Sequence, residues 1–214
     1  MEYVSPIFKQ AVTSLTCRPA RLSPASGNPG EVSLQTMWQQ VAAAEIGFTL
    51  KVNRLSRRTP ILTLFRAVSR LGDGVAWYAG LGVMLLIGGE QAAGPVLQTG
   101  VTALAGIGLY RFLKERLVRE RPFITFADIR CGTAPLDRYS FPSGHTLHAA
   151  LFSVFFLVYL PVLGLAMLPF ALLVAASRVV LGLHYPTDVL AGGAVGLLLA
   201  AASLAFLHLP PIAF

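Results

Sequence analysis

Between residues 74 and 207 the sequence falls into five apolar runs, 74–89, 94–113, 146–160, 162–181 and 189–207, into which only Arg111 and Arg178 bring formal charge. Runs of roughly 15–20 apolar residues match helices crossing a hydrocarbon core about 30 Å thick. Hydrophobic residues make up 55% of the 214-residue chain and charged residues only 13%. A soluble domain carries about 25% charge. The expected fold is therefore all-α: a polytopic membrane helical bundle of about five transmembrane helices, forming one domain over residues 33–214.

The segment ahead of the runs divides in two. Residues 1–32 are poor in acid and contain Arg18-Pro19, Ser23-Pro24 and Gly27-Asn28-Pro29-Gly30. They lack the apolar core of a secretory signal and read as a disordered tail. A targeting segment, or an internal start at Met37, fits the same composition. Residues 33–71 cannot span, because Glu45, Lys51, Arg54, Arg57, Arg58, Arg66 and Arg70 interrupt every apolar stretch. Ile46, Leu50 and Leu55, then Ile61, Leu64, Phe65 and Val68, recur at about helical spacing. Two amphipathic helices lying in the membrane interface, broken near Thr59-Pro60, are expected. A solvated basic region is the plainer alternative.

Five crossings put residues 1–73, 111–145 and 178–188 on one side of the membrane, and the clusters able to do chemistry all lie there. Lys114 and Arg121 follow the second run, Pro142-Ser143-Gly144-His145 opens the third, and Arg178, His184 and Asp188 join the fourth to the fifth. Singly, each has an ordinary reading: snorkelling cations, a helix start, a buried hydrogen-bonding histidine. Together they suit a phosphate. Lys114, Arg121 and Arg178 can clamp its oxygens. The N–H groups of Ser143 and Gly144, at a helix start, can bind an anion. His145 and His184 allow one nucleophile and one general acid. Asp188, four residues after His184, can hold one imidazole nitrogen and leave the other free.

The remaining polar features are secondary. His148, one turn beyond His145, is a possible further substrate contact, against a buried hydrogen bond. Asp73 reads as a cap for the first span. No Cys/His or carboxylate set suggests a metal, and no cofactor is expected. Cys17 and Cys131 are isolated and read as incidental. The net charge of +7 comes without a nucleic-acid recognition motif, so membrane lipids and phosphate ligands are the expected partners. Oligomeric state is not legible.

The three clusters, Lys-x6-Arg-Pro, Pro-Ser-Gly-His and Ser-Arg-x5-His-x3-Asp, together resemble the motifs of the type 2 phosphatidic acid phosphatase (PAP2) superfamily, over about residues 46–208. That resemblance implies an integral-membrane lipid phosphatase acting through a phosphohistidine. His184 resembles its nucleophile, Asp188 the residue orienting it, and His145 the acid protonating the leaving alkoxide. Lys114, Arg121, Ser143, Gly144 and Arg178 resemble the phosphate cradle. Phosphatidic acid, phosphatidylglycerophosphate, undecaprenyl pyrophosphate and lipid A are the implied kinds of substrate. Undecaprenyl-pyrophosphate phosphatases of the superfamily often carry Asp where this chain has Gly144, which counts against that substrate. A lipid phosphotransferase would use the same residues. A non-catalytic phospholipid-binding protein would be expected to have lost one histidine. The haloperoxidase relatives resemble large soluble proteins, unlike this chain.

The location implied is the inner membrane of a bacterium, with two readings of its orientation. All 17 Lys and Arg lie on the side of the clusters, which by the positive-inside rule is cytoplasmic. The resemblance implies the outer face.

Overall fold

The computed structural model describes residues 29–207 and 209–212, with side chains from residue 34 onward. Residues 1–28 of the expected 1–32 tail, with Cys17, lie outside the described residues, and residues 29–32 are helical. Helix α1 (Pro29–Asn53) is followed by a 3-10 turn (Arg54–Arg57) and α2 (Thr59–Leu71). Then come α3 (Val75–Gly88), a second 3-10 turn (Gly89–Ala92) and α4 (Ala93–Leu117). After a single helical turn (Pro122–Thr125) follow α5 (Gly144–Tyr159), α6 (Pro161–Val180) and α7 (Pro186–Phe206). No strand occurs among the described residues.

Proline sets many of these starts. Pro60, Pro122, Pro161 and Pro186 lie in the first turns of their helices, where the missing N–H would have had no partner anyway. Helix α2 is amphipathic as expected: Leu62, Val68 and Ser69 are buried while Leu64, Arg66 and Arg70 are exposed. Helix α1 turns Ile46 and Leu50 onto a small core of Leu62, Phe123, Ile129, Leu181 and Leu183. That core fastens the two leading helices beneath the loops joining the spans.

Each expected span corresponds to one helix, α3 to α7. By length and hydropathy three segments are long and apolar enough to cross a membrane: Val75–Thr125, which contains both α3 and α4, Pro161–Val180 and Pro186–Phe206. Their outer faces carry exposed Leu86, Leu97, Leu104, Val162, Leu165, Leu172, Leu190, Leu198 and Phe206. Such an apolar exterior requires lipid around it; the protein is an integral membrane protein. Helix α5 is apolar but shorter. Its 16 residues rise only about 24 Å at 1.5 Å each, and it is the central helix. Leu147, Leu151, Phe155 and Phe156 on it are fully buried, so protein rather than lipid solvates most of its surface.

Helices α5 and α7 approach so closely that two glycines are obligatory. A methyl group at Gly192 would stand 2.3 Å from the Ser143 carbonyl oxygen, and one at Gly196 would stand 2.2 Å from that of Leu147. Backbone-to-backbone approach of this kind is what small residues permit in membranes. It brings the start of α7 against the start of α5, where the Ser143 N–H donates to the Asp188 carbonyl at 3.0 Å.

Candidate active site

Five helix ends converge at one end of the bundle. The start of α3, the end of α4, the start of α5, the end of α6 and, just ahead of α7, His184 surround a cavity of about 490 Å³. Lys114, Arg121, His145, Arg178 and His184 line it, with Asp73, Asp137 and Gly144. Away from these groups its walls are Trp77, Leu81, Val96, Leu104 and Ile107 from α3 and α4. A charged mouth thus opens into an apolar trough.

Arg178 sits in the last turn of α6 and is 2% exposed. Its Nη1 donates to the Ser69 hydroxyl of α2, its Nε has no partner, and no carboxylate lies within ion-pair distance among the described residues. A buried cation without a direct ion-pair partner is costly, on the order of several kcal/mol. Its backbone is engaged as well, since the Arg178 carbonyl accepts from the N–H of Leu183 and of His184 at 3.0 and 3.1 Å. That fixes the turn presenting His184.

Lys114 and Arg121 share one carboxylate. Asp137 Oδ1 accepts from Lys114 Nζ at 2.7 Å and from Arg121 Nη2 at 2.6 Å. Burial would push the Asp137 carboxyl up, but Arg121 and Lys114 outweigh it and hold the group below the usual carboxylate range. Arg121 also donates through Nη1 to the Leu183 carbonyl at 2.8 Å and faces His184 Nε2 at 3.3 Å.

A guanidinium can only donate, so His184 Nε2 presents its lone pair and the ring proton sits on Nδ1. Nδ1 faces Asp188 Oδ2 at 3.5 Å, just beyond a formed hydrogen bond. Burial, then the positive charges of Arg121, Lys114 and Arg178, holds the imidazole well below its usual pKa. His184 is therefore neutral at physiological pH, the state a nitrogen nucleophile needs. Asp188 is itself held by three groups. Oδ2 accepts from the Tyr185 N–H at 2.8 Å and Oδ1 from Arg119 Nη1 at 2.5 Å, and the backbone carbonyl is tied to Ser143.

The expected residues are not all equivalent. His145, His184, Lys114, Arg121, Arg178 and Gly144 meet at the cavity, and Asp188 stands behind His184. Ser143 is fully buried beneath it. Its hydroxyl caps α5, accepting from the Thr146 N–H at 3.4 Å, and its N–H is already taken by Asp188. The expected anion site at this helix start is thus left to Gly144. His148 lines the cavity one turn deeper and faces the carbonyls of Gly144 (2.8 Å) and Ala103 (3.3 Å).

Two readings need correction. Asp73 does not cap α3: the capping position is Gly74, with no side-chain cap, and the Asp73 carboxylate instead bonds His145 Nε2. Cys131 is not incidental but disulfide-bonded.

Arg119 and Asp137 are not singled out in the sequence, and Glu45 reads there only as a charge interrupting an apolar stretch. Arg119 is 1% exposed and bonds Glu45 of α1 at 2.8 Å, the Thr187 hydroxyl at 2.7 Å and Asp188. Its guanidinium lies 4.0 Å from the Tyr185 ring centre. Burial of that ring pushes the Tyr185 phenol up to about 12. The one signal available was Arg119 itself, an arginine two residues ahead of Arg121 in a short interhelical loop.

The family model of the PAP2 superfamily matches residues 95–209, more than half of the chain. The chain belongs to the PAP2 superfamily. Its relatives include the decaprenylphosphoryl-5-phosphoribose phosphatase of Mycolicibacterium smegmatis, 32% identical over 64% of this chain and 74% of that protein. The undecaprenyl-diphosphatase BcrC of Bacillus subtilis is 32% identical over 53% of this chain. The match spans only 58% of BcrC, under two thirds of its length. Among solved structures, a transmembrane PAP2 phosphatidylglycerolphosphate phosphatase from Bacillus subtilis superposes with a TM-score of 0.59 at 26% identity, covering 82% of this chain and 94% of that one. The LpxE structure from Aquifex aeolicus shares the fold, with a TM-score of 0.61 at 23% identity over 76% of this chain.

Proposed function

We propose that this PAP2 protein is a metal-independent lipid phosphatase, removing a phosphate monoester or pyrophosphate headgroup through a phosphohistidine. The observation that carries the reading is Arg178: a buried guanidinium that makes no ion pair among the described residues, facing the same cavity as Lys114, Arg121, His145 and His184. A substrate phosphate supplies the missing anion. The apolar trough between α3 and α4 accepts the lipid tail, which favours a lipid over a soluble phosphate ester.

The steps follow from the groups present. Lys114, Arg121, Arg178 and the Gly144 N–H hold the non-bridging oxygens and offset the charge that builds on them. His184 Nε2 attacks phosphorus in line with the leaving oxygen. The N–P bond forms, the P–O bond breaks, and its electron pair goes to the lipid oxygen, which takes a proton from His145. Asp188 stabilises the positive charge that develops on His184. Water then attacks the phosphohistidine, His145 takes its proton, and His184 departs with the N–P electron pair.

The relatives' names span polyprenyl, glycerophospholipid and lipid A substrates, and Gly144 in place of an acid argues against an undecaprenyl pyrophosphate specialist. We take the membrane to be a bacterial inner membrane with the site facing outward. The support is Cys131, a disulfide-bonded residue on the loop that carries Asp137; disulfides persist in oxidising compartments. A reporter fused to the C-terminus tests orientation. Phosphate release from phosphatidic acid, phosphatidylglycerophosphate, undecaprenyl pyrophosphate and lipid A, in detergent with EDTA, tests the reaction. Turnover of at least one is expected; release from none of them, or only after metal is restored, would refute the proposal.

A further inference from the structure

Of the three histidines at the cavity, His148 faces backbone carbonyls, whereas His184 and His145 each face a carboxylate. His184 has Asp188, four residues on in its own motif. His145 has Asp73, 72 residues away in the turn between α2 and α3, with Asp73 Oδ1 on His145 Nε2. We infer that Asp73 is a positioning residue for the general acid: it holds the His145 ring and favours its protonated form during departure of the lipid oxygen. This rests on the reading of His145 as that acid.

The need for such a residue is visible in the surroundings. The charged groups facing His145 are Arg178 from α6, Arg121 ahead of the Pro122–Thr125 turn and Asp73, while Lys114 of α4, Asp137 and His184 line the same cavity. Next to two guanidiniums, an imidazole is a poor place to keep a proton. Asp73 is the carboxylate in direct contact with it. Geometry also assigns the nitrogens. An ionised carboxylate only accepts, so Nε2–H points at Asp73. The transferable proton is then on Nδ1, which gives it to the lipid oxygen and recovers one from the attacking water. Asp73 stays ionised and exchanges no proton itself.

Asp73 is placed by the turn between α2 and α3. Helix α2 ends at Leu71, and Gly72 packs on Val174 of α6, where a Cβ would come within 2.9 Å of its side chain. Gly74, at φ +151°, then turns the chain into α3. The Trp77 indole N–H donates back to the Gly72 carbonyl at 3.1 Å and locks this turn. Asp73 is thus set on a rigid corner at the mouth of the cavity rather than on a free loop.

The test compares the wild-type chain with Asp73→Asn and Asp73→Glu in detergent, using phosphatidic acid, whose leaving group is the basic diacylglycerol alkoxide, and farnesyl pyrophosphate, whose leaving group is the weakly basic farnesyl phosphate. Well-placed acid catalysis contributes about 10²- to 10⁴-fold. Asp73→Asn is expected to lower kcat on phosphatidic acid by about 10- to 100-fold with KM nearly unchanged, to lower it less on farnesyl pyrophosphate, and to move the basic limb of the rate profile to lower pH. Asp73→Glu recovers part of the rate. Histidine ¹⁵N NMR gives a readout without turnover, with His145 titrating at lower pH in Asp73→Asn than in wild type. Unchanged kcat and an unchanged His145 titration would overturn the inference, as would equal losses on both substrates with a raised KM. Wild-type turnover in His145→Ala would instead overturn the reading it rests on.

Discussion

Arg119 Nη1 donates to Asp188 Oδ1 at 2.5 Å while its Nη2 holds Glu45 Oε1 of α1 at 2.8 Å. One buried guanidinium therefore links α1 to the carboxylate behind His184. Truncating one partner of a buried pair leaves the other uncompensated and costs about 3–5 kcal/mol. Arg119→Ala is expected to lower the melting temperature in detergent and to reduce kcat, since both Asp188 and Glu45 lose their cationic partner. Arg119→Lys keeps the charge but not the fork or the contact with Tyr185, so it recovers stability only in part. Thermal unfolding beside phosphate release checks both variants.

Asp137 holds Lys114 and Arg121 at once, so under the proposed function a substrate phosphate must compete with it for both cations. Partly exposed ion pairs contribute up to about 1 kcal/mol. Asp137→Asn is expected to tighten competitive inhibition by inorganic phosphate by about two- to fivefold, measured as the inhibition constant. Weaker inhibition would make Asp137 a support for the cations instead.

Acid stability follows from His184. Its pKa in the folded protein lies well below the ordinary 6.5, so the unfolded chain binds the proton first as pH falls. Its effect is absent above about 6.5 and grows below that, by at most about 1.4 kcal/mol per pH unit, until the folded value is reached. Asp137 has the same direction in a lower window: its stabilisation is present above 3.8 and is lost as pH falls through its depressed folded value. Melting temperatures from pH 7.5 to 5 should therefore fall in wild type and fall less in His184→Asn.

The close approach of α5 and α7 makes Gly196→Leu a severe change. The side chain would displace the Leu147 carbonyl and separate Ser143 from Asp188. Loss of folded protein on size exclusion is expected, whereas Gly108→Ala, with nothing within 4 Å, should be silent.

Most of the fold was legible because lipid imposes simple requirements. An apolar run of spanning length has few alternatives, and all five became helices. The three motifs were legible through spacing along the chain. Asp73, Glu45 and Arg119 were not, because their meaning depends on a partner far away in sequence. Asp73 before a helix reads locally as a cap, and only the turn at Gly74 aims it at His145. Glu45 reads as an interruption of an apolar stretch; in the fold it accepts from Arg119 and from the Thr187 N–H and hydroxyl. Ser143 erred in the other direction. Its motif suggested a phosphate ligand, yet its N–H is taken by the Asp188 carbonyl of α7 and its hydroxyl by Thr146 of its own helix.

The most direct measurement is the fate of phosphorus on His184. The protein is incubated with ³²P-labelled lipid phosphate and quenched in base, where phosphohistidine survives. The wild-type chain is expected to carry label that acid removes, on the peptide containing His184, and His184→Ala should neither take up label nor release phosphate. Phosphate release by His184→Ala at the wild-type rate would contradict the account.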